Sequence, residues 1–231
     1  MRFLLLLALV LGLTACSDDG DWWADPPEGM RWVGDSGVVV AVADWWTTGE
    51  TQCGAPVEDT VYFDSGAIYD CADAVDPATV REVSSLAVLR ADGRYDADDL
   101  DGGCEEWFPG VCRRLFRLED TPVVFAVTIA AAGDGSYERI RDSARELPDG
   151  ATTVPLAVAG GWTPSWGAEP SVVPDLQRAI EAAGLRVEVE PADVSEDGDV
   201  ADLPSGSLLG VEPALGTPVA DGSTVTLTVM P

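Results

Sequence analysis

The sequence predicts an α+β fold on three observations. β-branched apolar runs, above all Val38-Val39-Val40-Ala41-Val42 and the stretch from Pro122 to Ile129, have the density of buried strands. A helix-period stretch follows these strands rather than alternating with them, as in segregated α+β architectures. Four cysteines, Cys53, Cys71, Cys104 and Cys112, fall within the same first unit, residues 30–150, and a smaller unit follows over residues 152–231. Apolar residues make up 46% of the 231, enough to bury a core.

The chain opens with Arg2 and an apolar run to Ala15, the length of the hydrophobic part of an export signal and too short to span a bilayer. Leu13-Thr14-Ala15-Cys16 resembles a bacterial lipobox. The resemblance implies cleavage after Ala15 and acylation of Cys16, which would hold the protein stably to the extracytoplasmic face of the cell membrane. Residues 16–29 are polar and acidic with Pro26-Pro27, and read as a tether. In this oxidising setting the four remaining cysteines form an even set. Three pairings are open to them; Cys53 with Cys71 and Cys104 with Cys112 is favoured because it closes two local loops, each contributing roughly 3 kcal/mol in the chain-entropy account. A four-thiolate zinc site would need a C-x-x-C spacing that the chain lacks.

From Met30 onward the expected strands are Val38 to Val42, Thr60 to Phe63, Ser85 to Leu89 and Pro122 to Ile129. A helix is expected from Gly135 to Leu147, capped by Ser136, turning Ile140, Ala144 and Leu147 inward and stopped by Pro148-Asp149-Gly150. In the second unit, Asp175 precedes a short helix with Leu176, Ile180 and Ala183 on one face and Gly184 just past its end. Leu185 to Glu190 alternates as a half-buried strand, Leu208 to Glu212 forms another, and Ser223 to Val229 is the last. Between the last two, Pro213, Gly216, Val219 and Gly222 punctuate every third residue as a turn region. One helix on a three-stranded sheet satisfies this pattern.

These residues resemble the PASTA domain family. Ala183-Gly184-Leu185-Arg186-Val187 matches its helix-to-strand join, and Pro204, Gly206, Pro213, Gly216, Val219, Gly222, Val225, Leu227 and Val229 match its tail without a gap. The family's opening Val-Pro is either Val154-Pro155, followed by an insertion, or Val173-Pro174. Val211 stands where the family commonly has glutamine. The resemblance implies an exposed module that contacts peptidoglycan or muropeptides, or else a spacer or dimerisation element. Candidate contacts are Arg178 and Arg186, with Trp162 and Trp166 as stacking residues; weak binding is expected, because residues 152–231 carry 12 acids against those two bases. The first unit, through Arg31-Trp32-Val33-Gly34, Trp45-Trp46 and Cys53-Gly54-Ala55-Pro56, resembles actinobacterial exported proteins, a likeness that carries no function with it.

Charge and composition exclude several functions. The chain has 13 arginines, no lysine, no histidine and 41 acids, a net charge of −28. Without histidine there is no Ser-His-Asp or Cys-His chemistry, so Gly34-Asp35-Ser36-Gly37 reads as a tight turn rather than a protease nucleophile. Without lysine there is no P-loop lysine or Schiff base. Nucleic acid is a poor partner, since phosphate binding works by counterion displacement from basic groups. No cofactor is implied. Partners are the membrane, through the anchor, wall material, and a protein at the envelope.

The expectation is therefore a non-enzymatic envelope lipoprotein. The rival is a hydrolase using paired carboxylates, which needs neither histidine nor metal. Its candidates are Asp35 with Asp64, each in an Asp-Ser-Gly turn, or Glu105 with Glu106. The acid-dense stretch between Asp92 and Glu106 is a candidate calcium loop, although Leu100 breaks the EF-hand spacing; a solvated acidic loop is the simpler reading. Eight tryptophans are many for this length. Trp22-Trp23 suits a membrane interface, and Trp45-Trp46, Trp107, Trp162 and Trp166 lie in or beside expected turns, where core packing competes with sugar stacking.

Overall fold

The computed structural model of the chain describes residues 22–52, 54–64, 76–91, 100, 103–108, 110–130, 136–158, 163–165, 167–193 and 203–231. In chain order its strands are β1 (Met30–Asp35), β2 (Val38–Ala43), β3 (Thr47–Thr48), β4 (Thr51–Gln52), β5 (Ala55–Pro56), β6 (Thr60–Phe63), β7 (Ser85–Arg90), β8 (Cys104–Phe108), β9 (Val111–Phe116), β10 (Val123–Thr128), β11 (Arg145–Glu146), β12 (Ala151–Thr153), β13 (Arg186–Pro191), β14 (Leu208–Glu212), β15 (Pro218–Ala220) and β16 (Thr224–Val229). The helices are α1 (Pro77–Glu82), α2 (Ser136–Ser143) and α3 (Val172–Ala182), and a 3-10 turn spans Trp22–Ala24. Strand outweighs helix, 43% to 16%, so the helices act as covers over a β-rich fold.

A six-stranded sheet in the order β3-β6-β7-β10-β9-β8 forms the larger half. β3, β6 and β7 run parallel, and the remaining pairings are antiparallel. Every residue of β6 and β10 is buried, which explains their near-continuous apolar sequences, interrupted only by Thr60 and Thr128: a strand covered on both faces has no polar side to show. α1 lies in the β6-to-β7 crossover. Its cap is Asp76, which accepts the Ala78 N–H at 2.8 Å, with Pro77 in the first turn where a missing N–H costs nothing.

β1 and β2 form a hairpin closed by Ser36-Gly37, whose φ values of 51° and 79° are the positive pair that a type I′ turn requires. Gly34-Asp35-Ser36-Gly37 is thus the hairpin corner. α2 stops at Ser143, four residues short of the expected Leu147. There the Ser143 hydroxyl donates to Ile140 O at 2.6 Å and accepts the Ala41 N–H at 2.8 Å. The chain then straightens into β11 and pairs with β2, because a free sheet edge offers hydrogen bonds that a further helical turn would leave unmade. Ser136 is the first residue of the helix, Ile140 is buried, and Ala144 and Leu147 pack partly buried against two different clusters.

The end of the expected acidic loop, Cys104 to Glu106, instead begins β8 of the β8–β9 hairpin. Its exposed Cys104, Glu105 and Glu106 sit on the outer edge of the sheet, where an alternating strand has little apolar signal. Cys104 and Cys112 join across it as a disulfide, with Cα atoms 5.3 Å apart. Cys53 and Cys71 lie outside the described residues.

The C-terminal tract has its own sheet, β13-β16-β14, with β13 parallel and β14 antiparallel to β16. α3 covers it through Leu176 and Ile180, both fully buried, and begins three residues before the expected Asp175, with Pro174 in its first turn. Gly184 follows the helix at φ +78°, the left-handed C′ position that β-carbons disfavour. β13 is more exposed than its alternation implies: Leu185 is buried and Val187 packs against the core, but Val189 is 43% exposed, since β13 is an edge strand. The turn region 213–222 contains one further strand, β15, paired with β12.

One apolar cluster runs from Val33, Phe63, Leu86 and Phe125 through Leu156 to Leu176, Ile180 and Leu227, so both halves share a core. The seam is close. Gly34 N donates to Gly216 O at 3.0 Å, and Phe63 N to the Thr163 hydroxyl at 2.6 Å. A β-carbon on Gly216, at φ +80°, would fall 2.6 Å from Val33 Cγ2. From Trp22 the N-terminal segment is docked as well: the Trp22 ring meets Trp32 edge-on at 5.1 Å, and the Arg145 guanidinium lies 4.8 Å from both. Among the described residues no helix is long and apolar enough to cross a membrane.

Candidate functional site

A cleft of about 810 Å³ lies where the two halves of the N-terminal region end together. β6 and β7 begin there, β10 finishes there, and the open end of the β1–β2 hairpin meets them, with α2 across the gap. Its walls are tied at several points. Asp44 N donates to Gly29 O at 3.1 Å, and Trp46 N to Ala43 O at 3.1 Å, closing a turn with Trp45 at its tip. Arg31 anchors the strand beyond, donating through Nη2 to the carbonyls of Trp46 and Thr47 at 3.0 Å each and to Thr48 Oγ1 at 2.9 Å. Burial lowers the Arg31 pKa from its ordinary value. The Asp59 carboxylate accepts the Ser84 N–H, and Ser84 Oγ in turn accepts the Ala130 N–H at 3.1 Å. Glu28, Met30, Ser136, Arg139 and Ile140 complete the lining.

The carboxylates proposed for hydrolysis are placed differently from either expected pairing. Asp35 accepts from the Ser36 hydroxyl at 2.7 Å and from Leu156 N at 3.4 Å, holding the hairpin corner to the C-terminal tract. Glu106 accepts the Gly110 N–H at 3.0 Å across its own hairpin. Asp64 and Glu105, one from each expected pair, meet at Arg113 instead: Nη1 lies 3.4 Å from Asp64 and Nη2 3.1 Å from Glu105. Trp107 covers the same guanidinium at 5.2 Å. A guanidinium seated between two carboxylates occupies the place where a shared proton and attacking water would have to sit. Beside it, burial and then the negative charge of Asp64 raise the Tyr62 hydroxyl well above the usual phenol range.

In the C-terminal unit, Arg178 is exposed on α3 and ion-paired with Asp175, and Arg186 is exposed at the start of β13. Neither lines a described cleft. Trp162 and Trp166 lie outside the described residues, as do Cys16 and most of the candidate calcium stretch. Among the described residues no three acids or cysteines come together as metal ligands. Val211 opens onto a smaller groove, about 210 Å³, between the C-terminal sheet and the segment Thr47, Thr48 and Glu50. Partial burial there raises the Glu50 pKa, and the nearby charge of Glu58 adds to the shift.

No family profile matches the chain, and neither a curated protein nor a solved structure matches it. Function must be argued from the residues themselves.

Sequence reasoning placed Trp45-Trp46 in a turn but could not say which ring faces water. The turn geometry decides it: Trp45 is 65% exposed and Trp46 only 6%. Arg139 was missed because it sits on the outer face of an amphipathic helix, where any charged residue looks like solvent dressing. The Asp64–Arg113–Glu105 cluster was missed because it joins β6, β8 and β9, a contact that only sheet order reveals.

Proposed function

We propose that this protein is a non-enzymatic lipoprotein of the cell envelope, tethered through Cys16, whose PASTA-like C-terminal unit makes weak contact with peptidoglycan or related wall ligands. The observation that carries this reading is the agreement between the signature residues and their physical roles. Gly184, Gly206, Gly216 and Gly222 all have positive φ, between 71° and 85°, so each stands where a side chain would be strained. Val219, Val225 and Leu227 are buried beneath α3 and the seam. Val154 is bonded to Gly216 and Thr217, which supports Val154-Pro155 as the unit's opening over Val173-Pro174, a pair inside α3. The compensation of Asp64 and Glu105 by Arg113 weighs against the paired-carboxylate hydrolase.

Because the halves share a core, truncation at residue 152 would strip apolar cover from Val33 and its neighbours, so charge reversal is the cleaner test. Co-sedimentation of the full chain with purified peptidoglycan is expected to be weak and salt-sensitive, and lost in Arg178→Glu/Arg186→Glu. Equal retention of that variant would remove wall contact from the module. Mass spectrometry of the membrane fraction should show acylated Cys16, and Cys16→Ala should release the protein.

A further inference from the structure

We propose that the 810 Å³ cleft at the shared end of the two sheets binds a saccharide, with one pyranose ring laid on Trp45. Three features of the site point to that chemistry.

The first is the platform. An indole 65% exposed is unusual, since large aromatics bury most of their surface when nothing requires otherwise. Trp45 is also held rather than loose. It sits at the tip of a hydrogen-bonded turn, and the buried Trp46 ring braces it edge-on, centroids 6.4 Å apart at 73°. Its π-face carries the negative side of the ring quadrupole, which attracts the polarised C–H bonds on the flat face of a sugar.

The second is the polar rim. Glu28 and Arg139 line the cleft, and neither makes an ion pair with another described residue. A carboxylate accepts from hydroxyls and a guanidinium donates to them, so the rim offers both functions to a polyol. Asp59 is already engaged by Ser84 and serves the wall, not the ligand.

The third is charge. One guanidinium against two carboxylates, in a chain of net charge −28, opposes phosphorylated or polyanionic ligands. An organic cation is the other common partner of an exposed indole, and the excess carboxylate favours it, so tetramethylammonium is the competing probe in the test. A neutral, hydroxyl-rich ring uses the indole, the carboxylate and the guanidinium together, whereas a quaternary ammonium leaves the Arg139 donors unused. The volume falls within the range of ligand clefts, roughly 300–1,000 Å³. The cleft belongs to the first half of the chain and owes nothing to the PASTA-like reading.

The test uses the full chain in detergent, titrated with cellotetraose and with the N-acetylglucosamine tetramer, followed by tryptophan fluorescence and calorimetry. Saturable binding of either sugar is expected. Trp45→Ala should raise Kd about tenfold or more, and Arg139→Ala several-fold, with the far-ultraviolet spectrum unchanged. Trp23→Ala, outside the cleft, and Arg178→Glu/Arg186→Glu, on the other unit, should bind as the parent does. The absence of saturable binding to both sugars up to about 5 mM, equal binding by Trp45→Ala, or saturation by tetramethylammonium in place of both sugars would overturn the proposal.

Discussion

The six-stranded sheet around Phe125 and the three-stranded sheet around Leu227 use similar side chains but bury them differently. β10 hides every residue, whereas β16 hides only Val225 and Leu227 and leaves its threonines partly open. The first is covered on both faces, and the second has one covered face. Arginine follows the same division. Arg113 is buried and Arg31 half-buried in the first half, where they organise carboxylates and carbonyls; Arg178 and Arg186 remain on the surface of the second. The first half therefore has internal polar structure that a ligand cleft can rest on, while the arginines described in the second lie at its surface.

The sharpest way to break this comparison is at the seam. Gly216→Val forces a β-carbon against Val33 and Leu156 at a φ that valine avoids. It should cost about 3 kcal/mol or more in denaturant unfolding and lower the stability of both halves together. Loss confined to the C-terminal sheet would show that the halves are separable.

Next in size is the contrast between the arginines. Arg113→Ala removes the guanidinium that pairs with both Asp64 and Glu105 and stacks on Trp107, and should cost about 2 kcal/mol. Arg178→Ala removes an exposed i,i+3 pair and should change stability by under about 0.5 kcal/mol. Equal effects would mean that the burial difference has no energetic weight.

The smallest effect is expected at Glu50, in the groove between the halves. The folded protein holds this proton more tightly than the unfolded chain, because burial and Glu58 raise the carboxyl above its ordinary 4.5. Its contribution to stability is fully present below that ordinary value and declines as pH rises through the raised one. Glu50→Gln should therefore match the parent at pH 4 and be slightly more stable at pH 7, read as the denaturation midpoint at each pH.

Much of the second half was legible because glycine and proline mark its turns. Leu208 to Glu212 is a strand as expected, and Gly184 ends α3 where it should. In the first half, Thr60 to Phe63 and Ser85 to Leu89 stood out as mostly apolar runs, but nothing local could say that β6 and β7 are parallel neighbours. β8 was hidden because its edge position tolerates Glu105 and Glu106. β12 and β15 are three residues each, too short for periodicity to register. The cleft was legible only as a pair of tryptophans, since its other walls come from Glu28, Asp59, Ser84 and Arg139, far apart in sequence.

Native-state hydrogen exchange tests the shared core most directly. Amides of β2 and β10 in the first half and of β16 in the second should exchange through one global opening, with the same protection and the same denaturant dependence. Independent, earlier opening of β16, while β2 and β10 stay protected, would contradict the account.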